Sequence, residues 1–192
     1  MARHLARARH VICDSYQTQS DFHSRFHDTA AETRVVYVGL NRTFCQVPPL
    51  EVTAALAALG IPPDARYLLH VGGNNWYKNR DGAIRIFAAL RAHTEFQGFR
   101  LVLAGRPLTA EMRAFLRDAR LADVVVGAVD VSDAALNALY AGAEALLFPS
   151  RVEGFGWPIL EAHACGCPVI TSNRAPMTEV GGDAAIFIEP EQ

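Results

Sequence analysis

The sequence predicts an α/β fold, a parallel sheet with helices on both faces, and three observations carry that prediction. Short apolar runs recur along the 192 residues with helical stretches between them. The runs are apolar throughout rather than alternating, as strands buried on both faces are. The composition, 51% hydrophobic against 20% charged, supplies a core of globular size.

Taken in order, residues 1–10 are basic and no apolar stretch follows them that could serve as a secretory signal. A helix leading into the first strand is expected there, with an amphipathic targeting peptide as the alternative. Strands are expected at 11–13 and 34–39, around a helix at 16–26. The segment 44–50, with Pro48-Pro49, reads as a linker into a helix at 50–59. A buried strand at 67–72 is followed by a helix at 80–93, whose Ile84, Phe87 and Leu90 share one face. Then come a strand at 100–105, a helix at 110–120 and a strand at 124–127. Ser132 suits the cap of a helix at 133–141. After a strand at 145–148, Pro158 suits the first turn of a helix at 158–165. Strands at 169–171 and 185–188 flank a short turn at 177–180.

A net charge of −2 implies no general polyanion-binding surface, so no nucleic-acid partner is expected. No apolar run approaches the ~20 residues of a membrane helix, which leaves peripheral association with a membrane at most. Cys13, Cys45, Cys165 and Cys167 fit neither a disulfide framework nor a zinc pattern. They read as small core residues in a reducing, cytoplasmic compartment. His163 reads as a packed or surface histidine.

The most informative segment is 153–161, Glu-Gly-Phe-Gly-Trp-Pro-Ile-Leu-Glu. It places Glu153 on a strand-to-helix loop and Glu161 on the first turn of the helix after it. Gly154 and Gly156 let backbone N–H groups approach a ligand, and a helix N-terminus favours anionic or oxygen-rich groups. Carboxylates in the same place repel phosphate alone, so a ligand carrying both hydroxyls and phosphate fits best. Nucleotide sugars have that character. The rival reading of two carboxylates is a glycoside hydrolase, with an acid and a base or nucleophile flanking the bond.

A second segment, 68–79, runs Leu-Leu-His-Val-Gly-Gly-Asn-Asn-Trp-Tyr-Lys-Asn. Gly72 and Gly73 end a buried strand and would admit a diphosphate to the backbone, with Lys78 supplying a point charge. The pattern is neither G-x-G-x-x-G nor G-x4-G-K-[ST], which argues against a dinucleotide dehydrogenase and excludes a P-loop. The hydrolase reading leaves this segment unexplained. The chain contains no D-x-D, so no metal and no other cofactor is expected.

Together these segments resemble the retaining glycosyltransferases of family 4, which have the GT-B fold of two Rossmann-like domains. The spacing from Glu153 to Glu161 is similar to their E-x7-E motif, and the likeness continues through 161–171 and 178–183. The resemblance implies that Glu153 contacts the donor sugar and Glu161 the nucleotide ribose. It implies that the Gly154, Phe155 and Gly156 amides hold sugar hydroxyls or the distal phosphate, and that the base lies near Gly127 and Val129. Lys78 would contact the diphosphate and, with Glu153, carry the chemistry. Many members have an arginine where this chain has Gly73; Arg106 and Arg151 are candidates to replace it.

By the same resemblance, 1–46 is the tail of an N-terminal Rossmann-like domain plus an interdomain strand. Residues 47–192 are then a Rossmann-like donor-binding domain without its closing helices, making the chain a fragment. The function implied is transfer of a sugar from a nucleoside-diphosphate sugar to an acceptor hydroxyl, with retention. The acceptor, whether polysaccharide, lipid-linked glycan or small molecule, is left open. A nucleotide-sugar-binding module without turnover and a GT-B epimerase or phosphorylase are the alternatives.

Overall fold

The computed structural model describes residues 7–191, so most of the helix expected at the N-terminus lies outside the described residues. The chain opens with β1 (His10–Cys13), α1 (Tyr16–Arg25) and β2 (Glu32–Val35), and the two strands pair in parallel as a small separate sheet. Ser15 caps α1, accepting the Thr18 N–H at 3.0 Å. The second strand is shorter and earlier than the expected 34–39. Its partner ends at Cys13, where the chain turns into α1, so the apolar Val36 and Tyr37 continue beyond the pairing and are exposed.

After α2 (Pro49–Ala58) come β3 (Tyr67–Gly72), α3 (Arg80–Leu90), β4 (Arg100–Gly105), α4 (Ala110–Asp118) and β5 (Val125–Val129). The rest is α5 (Asp133–Gly142), β6 (Ala145–Phe148), α6 (Trp157–Ala164), β7 (Val169–Ser172), α7 (Met177–Gly181) and β8 (Ala185–Ile188). The expected α/β architecture is the one observed. Helix α3 stops three residues short of expectation because His93 adopts an extended backbone ahead of a 3-10 turn at Thr94–Phe96.

The last six strands form one parallel sheet in the order β5-β4-β3-β6-β7-β8. Winding runs outward one way from β3 and the other way from β6. The point between them is a topological switch, where the loops leaving the carboxyl ends of the strands diverge and open a crevice.

Each central strand divides its side chains between two cores, as the pleat requires. Tyr67, Leu69, Val102, Ala104, Leu146 and Phe148 face one core with Leu56, Tyr140 and Ile159. Leu68, Leu101, Leu103, Ala145 and Leu147 face the other with Ile84, Phe87 and Leu116. The segment expected to be a linker is docked rather than free. Phe44 is buried with its ring 5.8 Å from that of Tyr140, and the Cys45 N–H donates to Asn137 Oδ1 at 2.9 Å. Of the four cysteines, Cys13, Cys165 and Cys167 are buried as expected. Cys45 is exposed, because its backbone rather than its thiol makes the docking contact. Burial pushes the Cys165 thiol up to about 12 and Cys167 up to about 11.

His70 is wholly buried on β3. Its Nδ1 lies 3.0 Å from the Leu147 carbonyl, which only accepts, so the ring proton sits on Nδ1. Burial lowers its pKa to about 4, helped by the Arg80 and Lys78 charges and opposed by the Leu147 bond. The unfolded chain's imidazole titrates near 6.5 and takes up a proton that the fold excludes. Stability from this group is therefore complete above pH 6.5 and is lost as pH falls towards 4, by about 3 kcal/mol in full. In His70→Asn, whose amide still donates to Leu147, the urea midpoint should drop less between pH 6.5 and about 5 than in the parent chain. An equal drop would place the acid sensitivity elsewhere.

Candidate functional site

Two loops leave the sheet at the switch point, one after β3 and one after β6, and they carry Lys78 and Glu153. The Lys78 Nζ lies 2.7 and 2.9 Å from the two oxygens of Glu153. The pair is largely shielded, with side chains 18% and 9% exposed. The ammonium also stands 5.1 Å from the centre of the Phe148 ring, whose face attracts it.

The loop after β3 reaches this position through two buried residues that the sequence reading passed over. Asn79 adopts a left-handed conformation, φ 50°, which asparagine tolerates better than most residues. Its amide donates to the carbonyls of Pro149 and Pro190 at 2.9 and 3.0 Å, tying the β3 loop to the β6 loop and to the segment after β8. Arg80 is almost fully buried, and among the described residues no carboxylate pairs with it. Its guanidinium donates to Asn74 Oδ1, the Arg106 carbonyl and the Leu103 carbonyl at 2.7, 2.5 and 2.9 Å. That fork joins the β3 loop to the end of β4. Burial lowers the Arg80 pKa, partly offset by Asp81.

Gly156 caps α6 at φ 102°, a left-handed geometry that favours glycine. The helix consequently starts at Trp157, and Glu161 falls in its second turn rather than its first. Glu161 is no ordinary solvated helix glutamate. Its Oε2 accepts the hydroxyl of the fully buried Tyr140 at 2.7 Å. Burial raises its carboxyl above the usual value, and the Tyr140 bond opposes the shift. Phe155 is buried, its ring 6.1 Å from that of Tyr37.

Lys78, Glu153, Phe155, Gly156 and Glu161 line one cleft of about 450 Å³, so the structure gathers these five expected site residues. Asp14, Val38, Val71, Leu136, Trp157 and Pro158 complete the lining, and none of them was an expected site residue. Asp14 had a legible signal, since it follows a strand's carboxyl end just as Gly73 does. Gly72 flanks the cleft, a Cβ built on it standing 3.4 Å from Lys78 Cδ. A Cβ on Gly73 would stand 3.7 Å from Arg106 Cγ, so Arg106 lies beside the glycine where an arginine was missed. Arg151 instead faces Glu191, 3.6 Å away. The Gly154 carbonyl accepts the Ser15 and Thr18 hydroxyls at 2.7 and 3.1 Å, which anchors the loop to α1. Gly127 and Val129 do not line this cleft; they lie on β5, two strands from β3. His163 is half-buried, and burial lowers its pKa.

A larger groove, about 590 Å³, runs along α3 past Arg85, His93 and Glu191, and of the expected site residues it includes only Arg151, a candidate for the missing arginine. Among the described residues, no group of three or more His, Cys, Asp or Glu side chains is arranged to hold a metal ion. Nor is any helix among them long and apolar enough to cross a membrane.

A family model described as glycosyl transferases group 1 matches residues 52–192. O-antigen chain mannosyltransferase B of Escherichia coli is 50% identical over 60 residues, 31% of this chain and 16% of that protein. O-antigen chain mannosyltransferase RfbU of Salmonella typhimurium is 26% identical over 188 residues, 97% of this chain and 48% of that protein. The chain thus spans less than half the length of either relative. The crystal structure of Anabaena HepE superposes with a TM-score of 0.81 at 20% identity, over 96% of this chain and 50% of HepE, which shows the fold to be that of such GT-B enzymes. With the match extending over most of its length, this chain belongs to the glycosyl transferases group 1 family.

Proposed function

We propose that this chain is the donor-binding part of a retaining, metal-independent glycosyltransferase of family 4. It would transfer a sugar from a nucleoside-diphosphate sugar to an acceptor hydroxyl. The observation that carries this is the convergence of Lys78, Glu153 and Glu161 on one cleft at the sheet's switch point. A neighbour of the same fold, HepE, was solved with UDP and glucose and also with UDP-glucose, which supports a nucleotide-sugar donor.

In this reading Glu153 positions the sugar and Glu161 accepts a ribose hydroxyl. An ammonium has three N–H groups, and Glu153 engages two of those on Lys78, leaving one for an oxygen of the departing diphosphate. Such a donor, held in place before reaction, stabilises charge as it develops on the leaving group. Gly72 and Gly73 let the backbone approach the diphosphate, and Arg106 supplies the second positive charge. The amides of Gly154, Phe155 and Gly156 hold the sugar or distal phosphate, and the base extends towards Gly127 and Val129. The acceptor hydroxyl attacks from the face that the diphosphate leaves.

The Lys78–Glu153 pair makes Lys78 structural as well as functional. Lys78→Ala strands a shielded carboxylate, which costs roughly 3–5 kcal/mol, so the urea midpoint should fall along with donor affinity. Lys78→Met with Glu153→Gln removes both charges and should recover most of the stability without the affinity. Calorimetry and urea titration on the two variants test this; a stable single variant with unchanged affinity would remove Lys78 from the site.

The carboxylates are separable by ligand. Glu161→Gln should weaken nucleoside diphosphate and nucleotide sugar alike, and Glu153→Gln only the nucleotide sugar, each by roughly 1–3 kcal/mol. Because the Glu161 carboxyl is raised, the stability it contributes is complete below its unfolded value and is lost as pH rises through the folded one. At pH 7 its ionised form is therefore a cost, and glutamine keeps an acceptor for Tyr140. Glu161→Gln should melt no lower than the parent at that pH; lower melting with intact binding would make Glu161 structural.

With no D-x-D in the chain to hold a metal on the diphosphate, donor affinity measured in excess chelator should equal that in magnesium. A strong dependence on magnesium would overturn the metal-independent reading.

A further inference from the structure

Asp14 lines the cleft from outside the six-stranded sheet and belongs to none of the motifs read from the sequence. It follows β1, at the carboxyl end of the small sheet. Two separate sheets therefore present strand ends to one cleft.

Two observations set this residue apart. Its Oδ1 is shielded from solvent and has no hydrogen-bond partner among the described residues. Its Oδ2 lies 3.4 Å from the place where a Cβ would stand on Gly154, the residue after Glu153. The Ser15 and Thr18 hydroxyls hold the Gly154 carbonyl, so the chain segment that carries Asp14 is tied to that loop. Of the three carboxylates lining the cleft, Glu153 is matched by Lys78 and Glu161 by Tyr140. Asp14 alone has no donor among the described residues. A shielded acceptor left unmatched costs folding free energy, and a native structure keeps one where something else supplies the donor.

The chemistry of that donor is constrained. A carboxylate repels phosphate oxygens and attracts hydroxyls, and the position adjoins Glu153 rather than Glu161. We propose that Asp14 accepts a hydroxyl of the transferred sugar and so helps determine which sugar the cleft takes. The inference rests on the reading of the cleft as a nucleotide-sugar site.

The test uses the 192-residue chain with UDP, GDP, UDP-glucose and GDP-mannose as probes, followed by calorimetry. Asp14→Ala should weaken the bound nucleotide sugar roughly tenfold and leave the matching diphosphate within about twofold. Asp14→Asn, which keeps one acceptor oxygen, should fall between parent and alanine. Against a deoxy analogue lacking the recognised hydroxyl, parent and Asp14→Ala should bind equally. Thermal melting of both variants should match or exceed the parent, since an unmatched carboxylate has been removed. Equal weakening of diphosphate and conjugate, or an undiminished conjugate, overturns the assignment of Asp14 while leaving the nucleotide-sugar reading intact. A parent chain that binds none of the four probes overturns both.

Discussion

The ion pair of Lys78 and Glu153 closes the gap between two loops that stand 75 residues apart in sequence. The loops leave strands that are neighbours in the sheet, so both are aimed the same way at the outset. Two backbone-directed ties run beside the pair: the Arg151 N–H donates to the Tyr77 carbonyl at 2.7 Å, and the Asn79 amide donates to the Pro149 carbonyl. Those ties fix the loops, but they expose nothing reactive. The ion pair is the tie that faces the cleft, and its shielding makes it strong and demanding at once. Each member needs the other to offset desolvation. A ligand that draws Lys78 towards a phosphate must therefore offer Glu153 something in return, and a sugar hydroxyl does so.

Beneath the pair, the frame is polar but not ionic. Arg80 directs its two terminal guanidinium nitrogens at carbonyl and amide oxygens, while its Nε has no partner among the described residues, and this places under the β3 loop a positive charge that Asp81 only partly offsets. Its field adds to that of Lys78, and both reinforce the burial that lowers the His70 pKa. At the ends of β3 and β4 the backbones approach so closely that a Cβ on Gly105, φ 133°, would stand 2.2 Å from the Gly72 carbonyl oxygen. A rigid floor of this kind suits a site that must hold donors in place before a reaction begins.

The strands of the large sheet were legible in the sequence because they are buried on both faces, and continuous apolar runs such as Leu101–Leu103 leave little choice. The Glu153 turn and the Lys78 loop were legible for a different reason: glycines and a proline at strand ends mark places where backbone geometry is special. Arg80 was not legible. A charged residue opening a helix reads as solvated, and nothing local reveals that carbonyls from β4 will surround it. Val36 and Tyr37 misled in the opposite direction, since an apolar run extends a strand only as far as its partner reaches. Asp14 escaped because the rule of strand carboxyl ends was applied to the large sheet and not to the short pair ahead of it. Cys45 was misjudged because its burial depended on which part of the residue makes the docking contact.

The charges around the cleft sort its ends. Asp14, Glu153 and Glu161 outnumber Lys78 among the lining residues, which is a poor arrangement for a free polyphosphate. Positive charge lies instead at one border, with Lys78 above the buried Arg80 and Arg106 beside Gly73. A ligand that is anionic at its middle and rich in hydroxyls on either side meets both demands, the diphosphate lying along that border and the hydroxyls reaching the carboxylates. A free sugar would leave the ammonium's third N–H without an anionic acceptor, and a free phosphate would leave Asp14 and Glu161 opposed to it. In the proposed reading the cleft favours a molecule that carries both kinds of group. Glu161 is the lining carboxylate whose ionised form burial disfavours, a cost that the Tyr140 hydroxyl partly offsets.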